Sequence, residues 1–149
     1  MKRAIFIDTW AWIILSNRKE HDYQPIQHLY KTALQNRFHI VTSDYVLDET
    51  ITFLYAKMDI ALAEPYITGI FSSIKGGGID LERVTEKRFQ EAWKLRLKYN
   101  DHARISFTDL TSFVIMKEKG ITHVVTQDDH FSHVNMGFQR LLKPKELPA

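Results

Sequence analysis

AIFIDTW (residues 4–10) decides how the rest of the chain is read. Four apolar residues, Ala4 to Ile7, stand between the basic pair Lys2-Arg3 and the acid Asp8. A short apolar run bounded by charge reads as a buried strand. An acid directly after such a strand has two readings. It caps the helix that follows, or it belongs to a site, because open α/β sheets bind ligands outside the carboxyl ends of their strands.

Outward from this strand, TWAWIILS (9–16) reads as a short helix or turn. YQPIQHLYKTALQN (23–36) places apolar residues at 26, 29, 30, 33 and 34, which is helical spacing, and Asn36 stops it before a second strand, FHIV (38–41). Thr42 or Ser43 caps a helix running to Lys57. IALAEPYITGIFSSI (60–74) is again helical, with Pro65 expected near a start or a kink. GGG (76–78) breaks the chain, and IDLERV (79–84) alternates apolar and polar residues as a strand with one covered face does. Thr85 caps a helix over 86–99, and Ser106 caps another that closes at Gly120. THVVT (122–126) is a strand, and GFQRLL (137–142) supplies the last, directly following it in order.

Strands separated by pairs of helices predict an α/β fold with a parallel sheet and helices on both faces. No repeat or linker divides the chain, so residues 1–149 are expected to form a single domain. The length suits one full core, and 44% apolar and 26% charged residues are ordinary for a globular protein. Only KPKELPA (143–149) reads as a candidate for disorder. The absence of cysteine excludes disulfides, thiolate nucleophiles and cysteine zinc sites. The N-terminal apolar run is too short for a signal-peptide core and nothing spans a membrane, so a cytoplasmic location is expected. A net charge of +2 permits nucleic-acid binding without arguing for it. The richest basic stretch, residues 87–104, carries six Lys and Arg and reads first as a solvated helix face.

Several acids fall at the carboxyl edge of the expected sheet. Asp8 ends the first strand, Asp128 and Asp129 follow the strand 122–126, and Asp109 lies in the first turn of the helix leading into that strand. Singly, each is explained by capping: Asp8 before a helix, Ser106 and Asp109 at capping-box spacing, Asp128 in a turn. Glu49 resists this account because it lies about two turns inside its helix. With Val46, Thr50, Phe53 and Leu54 on one face at roughly 100° per residue, Glu49 falls about 60° from Val46, at the border of that face. Asp48 falls on the far side. A bordering Glu that snorkels to solvent is the plain alternative. Together, Asp8, Glu49, Asp109 and one of Asp128 and Asp129 form a carboxylate cluster whose mutual repulsion a cation would relieve. Hard oxygen donors suit Mg²⁺ or Mn²⁺, and such ions support phosphodiester hydrolysis without a protein nucleophile.

FIDTW (6–10), LDET (47–50), SFTD (106–109) and TQDDHF (126–131), in that order and spacing, resemble the PIN-domain ribonucleases, and among them the VapC-type toxins of toxin–antitoxin pairs. The resemblance spans nearly the whole chain. It implies a three-layer α/β/α sandwich with a central parallel sheet and Mg²⁺- or Mn²⁺-dependent cleavage of RNA. It also implies a homodimer and inhibition by a cognate antitoxin protein. Asp8 matches the first acid of the family, Glu49 the second and Asp109 the third. Thr126 and Asp128 match the last motif, which leaves Asp129 on a variable position. As implied metal ligands and catalytic residues these are Asp8, Glu49, Asp109 and Asp128, with Glu49 holding the ion or orienting the water. Trp10 stands where Ser is commoner. The family's loop aspartate has a counterpart in Asp22, but its histidine has none in register.

Other residues have plainer readings. His130 and His133 have the i, i+3 spacing of a zinc pair, but a single turn would have to aim both rings at one ion, so packing and solvation are favoured for them. Trp10 and Trp12 could stack on bases but read as core or dimer surface. Arg96, Lys98 and Arg104 are candidates to guide phosphates. Two further functions stay open at this level: a housekeeping RNA-processing nuclease, and a non-catalytic module that binds RNA or protein.

Overall fold

The computed structural model describes residues 3–149. Five strands form one sheet: β1 (Ala4–Ile7), β2 (His39–Ser43), β3 (Asp80–Glu82), β4 (His123–Val125) and β5 (Gln139–Leu141). Their order across the sheet is β3-β2-β1-β4-β5, and every neighbouring pair is parallel. Between β1 and β2 run α1 (Thr9–Leu15) and α2 (Tyr23–Gln35); between β2 and β3, α3 (Asp44–Lys57) and α4 (Ile60–Lys75). α5 (Glu86–Lys98) and α6 (Phe107–Lys119) connect β3 to β4, and α7 (His130–His133) connects β4 to β5.

The strand order assigns the helices to faces. Parallel crossovers are right-handed. From β1 the chain steps outward to β2 and β3, which sends α1 to α4 over one face. From β3 it returns across the sheet to β4 and β5, which sends α5 to α7 over the other. The result is the three-layer α/β/α sandwich with a central parallel sheet. The chain leaves β1 and β4, which are neighbours, in opposite senses, so the switch point of the sheet lies between them. Its carboxyl edge there is the crevice in which such folds place ligands.

The central strands are covered on both sides. Ile5, Phe6 and Ile7 of β1 and Val124 and Val125 of β4 are all buried, as are Leu110, Phe113 and Met116 of α6. Leu54, Ala63 and Ile67 form a smaller cluster between α3 and α4. Ser43, Thr85 and Ser106 accept the capping N–H groups of Val46, Arg88 and Asp109. Gly120 closes α6 with φ of 68°, a conformation that costs glycine little.

The structure differs from the sequence reading in several places. Leu47, not Phe53, completes the buried face of α3, and Phe53 is exposed. The last two strands do not follow directly; α7 intervenes, as a parallel pairing demands. The strand read over 79–84 shortens to Asp80–Glu82, at the sheet edge. The terminal stretch 143–149 forms a 3-10 turn at Pro144–Glu146 that packs on α2. Among the described residues, no helix is long and apolar enough to cross a membrane.

Candidate metal centre

Sheet register delivers the first contact of the site. Ile7 pairs with Val125, so Asp8 and Thr126 leave their strands side by side. The Asp8 N–H continues the ladder to the Val125 carbonyl at 3.2 Å. Thr126 Oγ1 donates to Asp8 Oδ2 at 2.8 Å and accepts the Asp128 N–H at 3.1 Å. One buried hydroxyl therefore fixes both the first acid and the turn that carries the last. Asp8 is the N-cap residue of α1, yet its side chain makes no cap bond, so capping does not account for this carboxylate.

The next two acids arrive on helices. Asp109 sits at the third position of α6, where it completes a capping box: Ser106 Oγ accepts its N–H at 3.0 Å and its Oδ2 accepts the Ser106 N–H at 3.2 Å. The cap and the site are thus compatible readings of one residue, since the box sets the direction in which the carboxylate points. Glu49 on α3 is half-buried while Asp48 is exposed. Glu49 Oε2 accepts the Thr9 hydroxyl at 3.1 Å, a bond between α3 and α1 that holds it inward.

Asp128 lies in the turn after β4, and Asp129 beside it is exposed and forms no side-chain cap on α7. Asp128 Oδ1 accepts the His130 N–H at 2.9 Å. The His130 ring turns back into the cluster, with Nδ1 3.0 Å from Asp128 Oδ1 and 3.6 Å from Asp109 Oδ2. Asp109, Asp128 and His130 each offer one ligand atom, and these atoms lie within 4.8 Å of one another. His133 faces solvent, so the two histidines do not form a pair. The sequence favours packing over metal binding for His130, yet its ring nitrogen stands among the acids. Its signal was proximity to Asp128 on a turn whose next residue, Phe131, is fully buried against Phe113 at a ring distance of 4.8 Å.

Charge in this crevice is under strain. Burial pushes the Asp8 carboxyl up to about 6, with Asp128 and Glu49 adding repulsion and the bonds from Thr126 and the Thr9 backbone opposing it. Burial raises Asp109 further still, and Asp8, Asp128 and Glu49 all push the same way. Asp128 and Glu49 thus act on both buried acids, and Asp8 acts on Asp109 as well. A divalent cation fits this donor set: carboxylate oxygens converge, repulsion is uncompensated, and the buried Nδ1 of His130 has no hydrogen-bond partner.

Of the basic stretch after β3, Lys87, Lys94, Lys98 and Arg104 are exposed, as a solvated face requires, whereas Arg88 and Arg96 turn inward. Arg88 is buried between α5 and α6, with Nε 2.9 Å from Glu118 Oε2 and Nη1 donating to the Arg83 carbonyl at 2.8 Å. Arg96 is engaged by backbone carbonyls. Its guanidinium donates to the Tyr99 and His102 carbonyls at 2.7 and 2.8 Å and also to the Ile105 carbonyl. It thus ties down the loop that enters α6 immediately before Asp109. Trp12 is core, its Nε1 donating to Thr42 Oγ1 at 3.0 Å, while Trp10 packs half-buried against the main core.

A model of the PIN domain family matches residues 5–136. The 23S rRNA-specific endonuclease VapC20 of Mycobacterium tuberculosis is 29% identical over 128 residues, which cover 86% of this chain and 92% of that protein. The crystal structure of Mycobacterium tuberculosis VapC20, described as a Sarcin-Ricin loop cleaving toxin, superposes with a TM-score of 0.75 at 27% identity. It covers 89% of this chain and 95% of the other. Nucleases of this family generally use divalent metal ions, in keeping with the carboxylate cluster at the switch point. With the family model spanning most of the chain and the fold in agreement with it, the chain belongs to the PIN-domain family.

Proposed function

We propose that this protein is a Mg²⁺- or Mn²⁺-dependent endoribonuclease and the toxin of a type II toxin–antitoxin pair. What supports the reading is the cluster of Asp109, Asp128 and His130, with Asp8 and Glu49 near enough to raise the cost of charge on Asp109, in a chain similar along its length to a 23S rRNA-specific endonuclease.

Asp8, Asp109 and Asp128 would hold the ion, directly or through water. A divalent ion there supplies a Lewis acid and a water of lowered pKa. Glu49, bonded to Thr9, would complete the site as a further ligand or by orienting the attacking water. Thr126 keeps Asp8 and Asp128 in register with one another. Attack on phosphorus breaks a P–O bond of the RNA backbone, and no side chain becomes covalently linked.

A structured ribosomal RNA loop is the first substrate class to test. The partners proposed are a cognate antitoxin that covers the crevice and a second copy of the chain. Exposed apolar side chains support protein partners: Phe89, Trp93 and Leu97 line one side of α5, and Ile60, Leu62 and Phe71 project from α4. A cytoplasmic site of action accords with an RNA substrate.

Purified protein incubated with 23S rRNA should cleave it in Mg²⁺ or Mn²⁺ and stop on addition of a chelator. Asp8→Asn should fold normally and lose the activity. Undiminished metal-dependent cleavage by folded Asp8→Asn protein would remove the assignment.

A further inference from the structure

We infer that His130 binds the ion through Nδ1 and that this nitrogen gives the site a preference for first-row transition ions over Mg²⁺. This rests on the metal-dependent reading above and adds a ligand to the four carboxylates that define it.

Three observations point to the ring. First, Nδ1 is buried and has no hydrogen-bond partner, although carboxylate oxygens flank it at 3.0 and 3.6 Å. A buried ring nitrogen without a partner is costly, and coordination satisfies it. Second, the spacing is that of neighbouring ligands. Two donors about 2.1 Å from an octahedral ion stand about 3.0 Å apart when they occupy adjacent vertices. The separation from Asp128 Oδ1 matches this, and that from Asp109 Oδ2 needs a closure of a few tenths of an ångström.

Third, the ring is held in place. His130 opens α7, its N–H is bonded to Asp128 Oδ1, and Phe131 is locked between Phe113 and Phe138. The turn thus presents the imidazole from a packed base and not from a free loop. His133, one turn on, is exposed. Coordination at Nδ1 places the ring proton on Nε2.

The donor set then consists of carboxylate oxygens and one imidazole. Mg²⁺ takes oxygen donors almost exclusively, whereas imidazole is a favoured ligand of first-row transition ions. The nitrogen therefore adds more to the binding of those ions than to that of Mg²⁺.

Pulsed electron paramagnetic resonance of the full chain with one equivalent of Mn²⁺ tests this. Nitrogen hyperfine coupling is expected in the wild-type protein and in His133→Ala. It should vanish in His130→Ala and His130→Gln. Calorimetric titration should show Mn²⁺ affinity falling on the order of tenfold in the His130 variants, with a smaller loss for Mg²⁺. Circular dichroism establishes that each variant is folded. Mn²⁺ bound without nitrogen coupling in the wild type, but lost in Asp109→Asn, overturns the His130 assignment and leaves the carboxylate site standing. Failure of Mn²⁺ to bind the wild type at all overturns both.

Discussion

Thr126 and Asp8 lie 118 positions apart in the chain and are joined by a buried hydrogen bond of 2.8 Å. The bond exists because β1 and β4 are parallel neighbours in register, so the residues just beyond their ends meet. The same hydroxyl accepts the N–H of Asp128, which makes Thr126 a positioning residue for two acids at once.

Thr126→Val keeps the branched shape and removes the hydroxyl. Asp8 Oδ2 and the Asp128 N–H both lose a buried partner, at a cost of about 1–3 kcal/mol in stability. Metal affinity and cleavage should each fall by roughly 10–100-fold, as for supporting residues of metal sites. Denaturant unfolding and metal titration read the two effects separately. Stability lost without any change in metal affinity would reduce Thr126 to a structural role.

Asp128 and Asp129 are adjacent but not equivalent. Asp128 stands within the ligand set, whereas Asp129 is exposed and bonds nothing through its side chain. Asp128→Ala should lower the cleavage rate by at least about a hundredfold. Asp129→Ala, a surface change, should stay within about twofold. Initial rates on one RNA substrate compare them, and equal losses would mean that the turn is oriented differently in solution.

Metal-free protein should lose stability as pH rises. Asp8 is raised from 3.8 to about 6 in the folded state, and Asp109 is raised in the same direction. The native state therefore binds more protons than the unfolded state above pH 3.8. The stabilising contribution is complete below that pH and is lost as pH rises through about 6, with Asp109 extending the loss upward. Thermal unfolding in chelator should show a melting temperature that falls from pH 5 to pH 8. Asp109→Asn should flatten the slope, and saturating Mn²⁺ should restore stability at the higher pH. An unchanged slope in Asp109→Asn would show that this carboxyl carries no excess proton.

Much of this organisation is local and was legible in the residues. AIFI and HVV are short apolar runs, and Ser43, Thr85, Ser106 and Gly120 cap helices through contacts within a few positions of themselves. A capping box needs only Ser and an acid three residues on, so Asp109 could be placed at a helix start without knowing the fold. The tilt of Glu49 inward and Asp48 outward follows from helical geometry alone. Phe53 shows the limit of that geometry, because periodicity does not say where the neighbouring helix ends its cover.

The sequence by itself determined the alternation of strands and helices and the placing of acids at strand and helix ends, since both rest on short-range rules. Only the tertiary structure decided that Thr126 bonds to Asp8, that Thr9 holds Glu49, that Arg96 clamps a loop, and that the His130 ring enters the acid cluster while His133 leaves it. Those outcomes depend on strand order and on which aromatic rings pack beneath α7. Neither is encoded at any fixed spacing, because both arise from contacts between segments that meet only when the sheet closes.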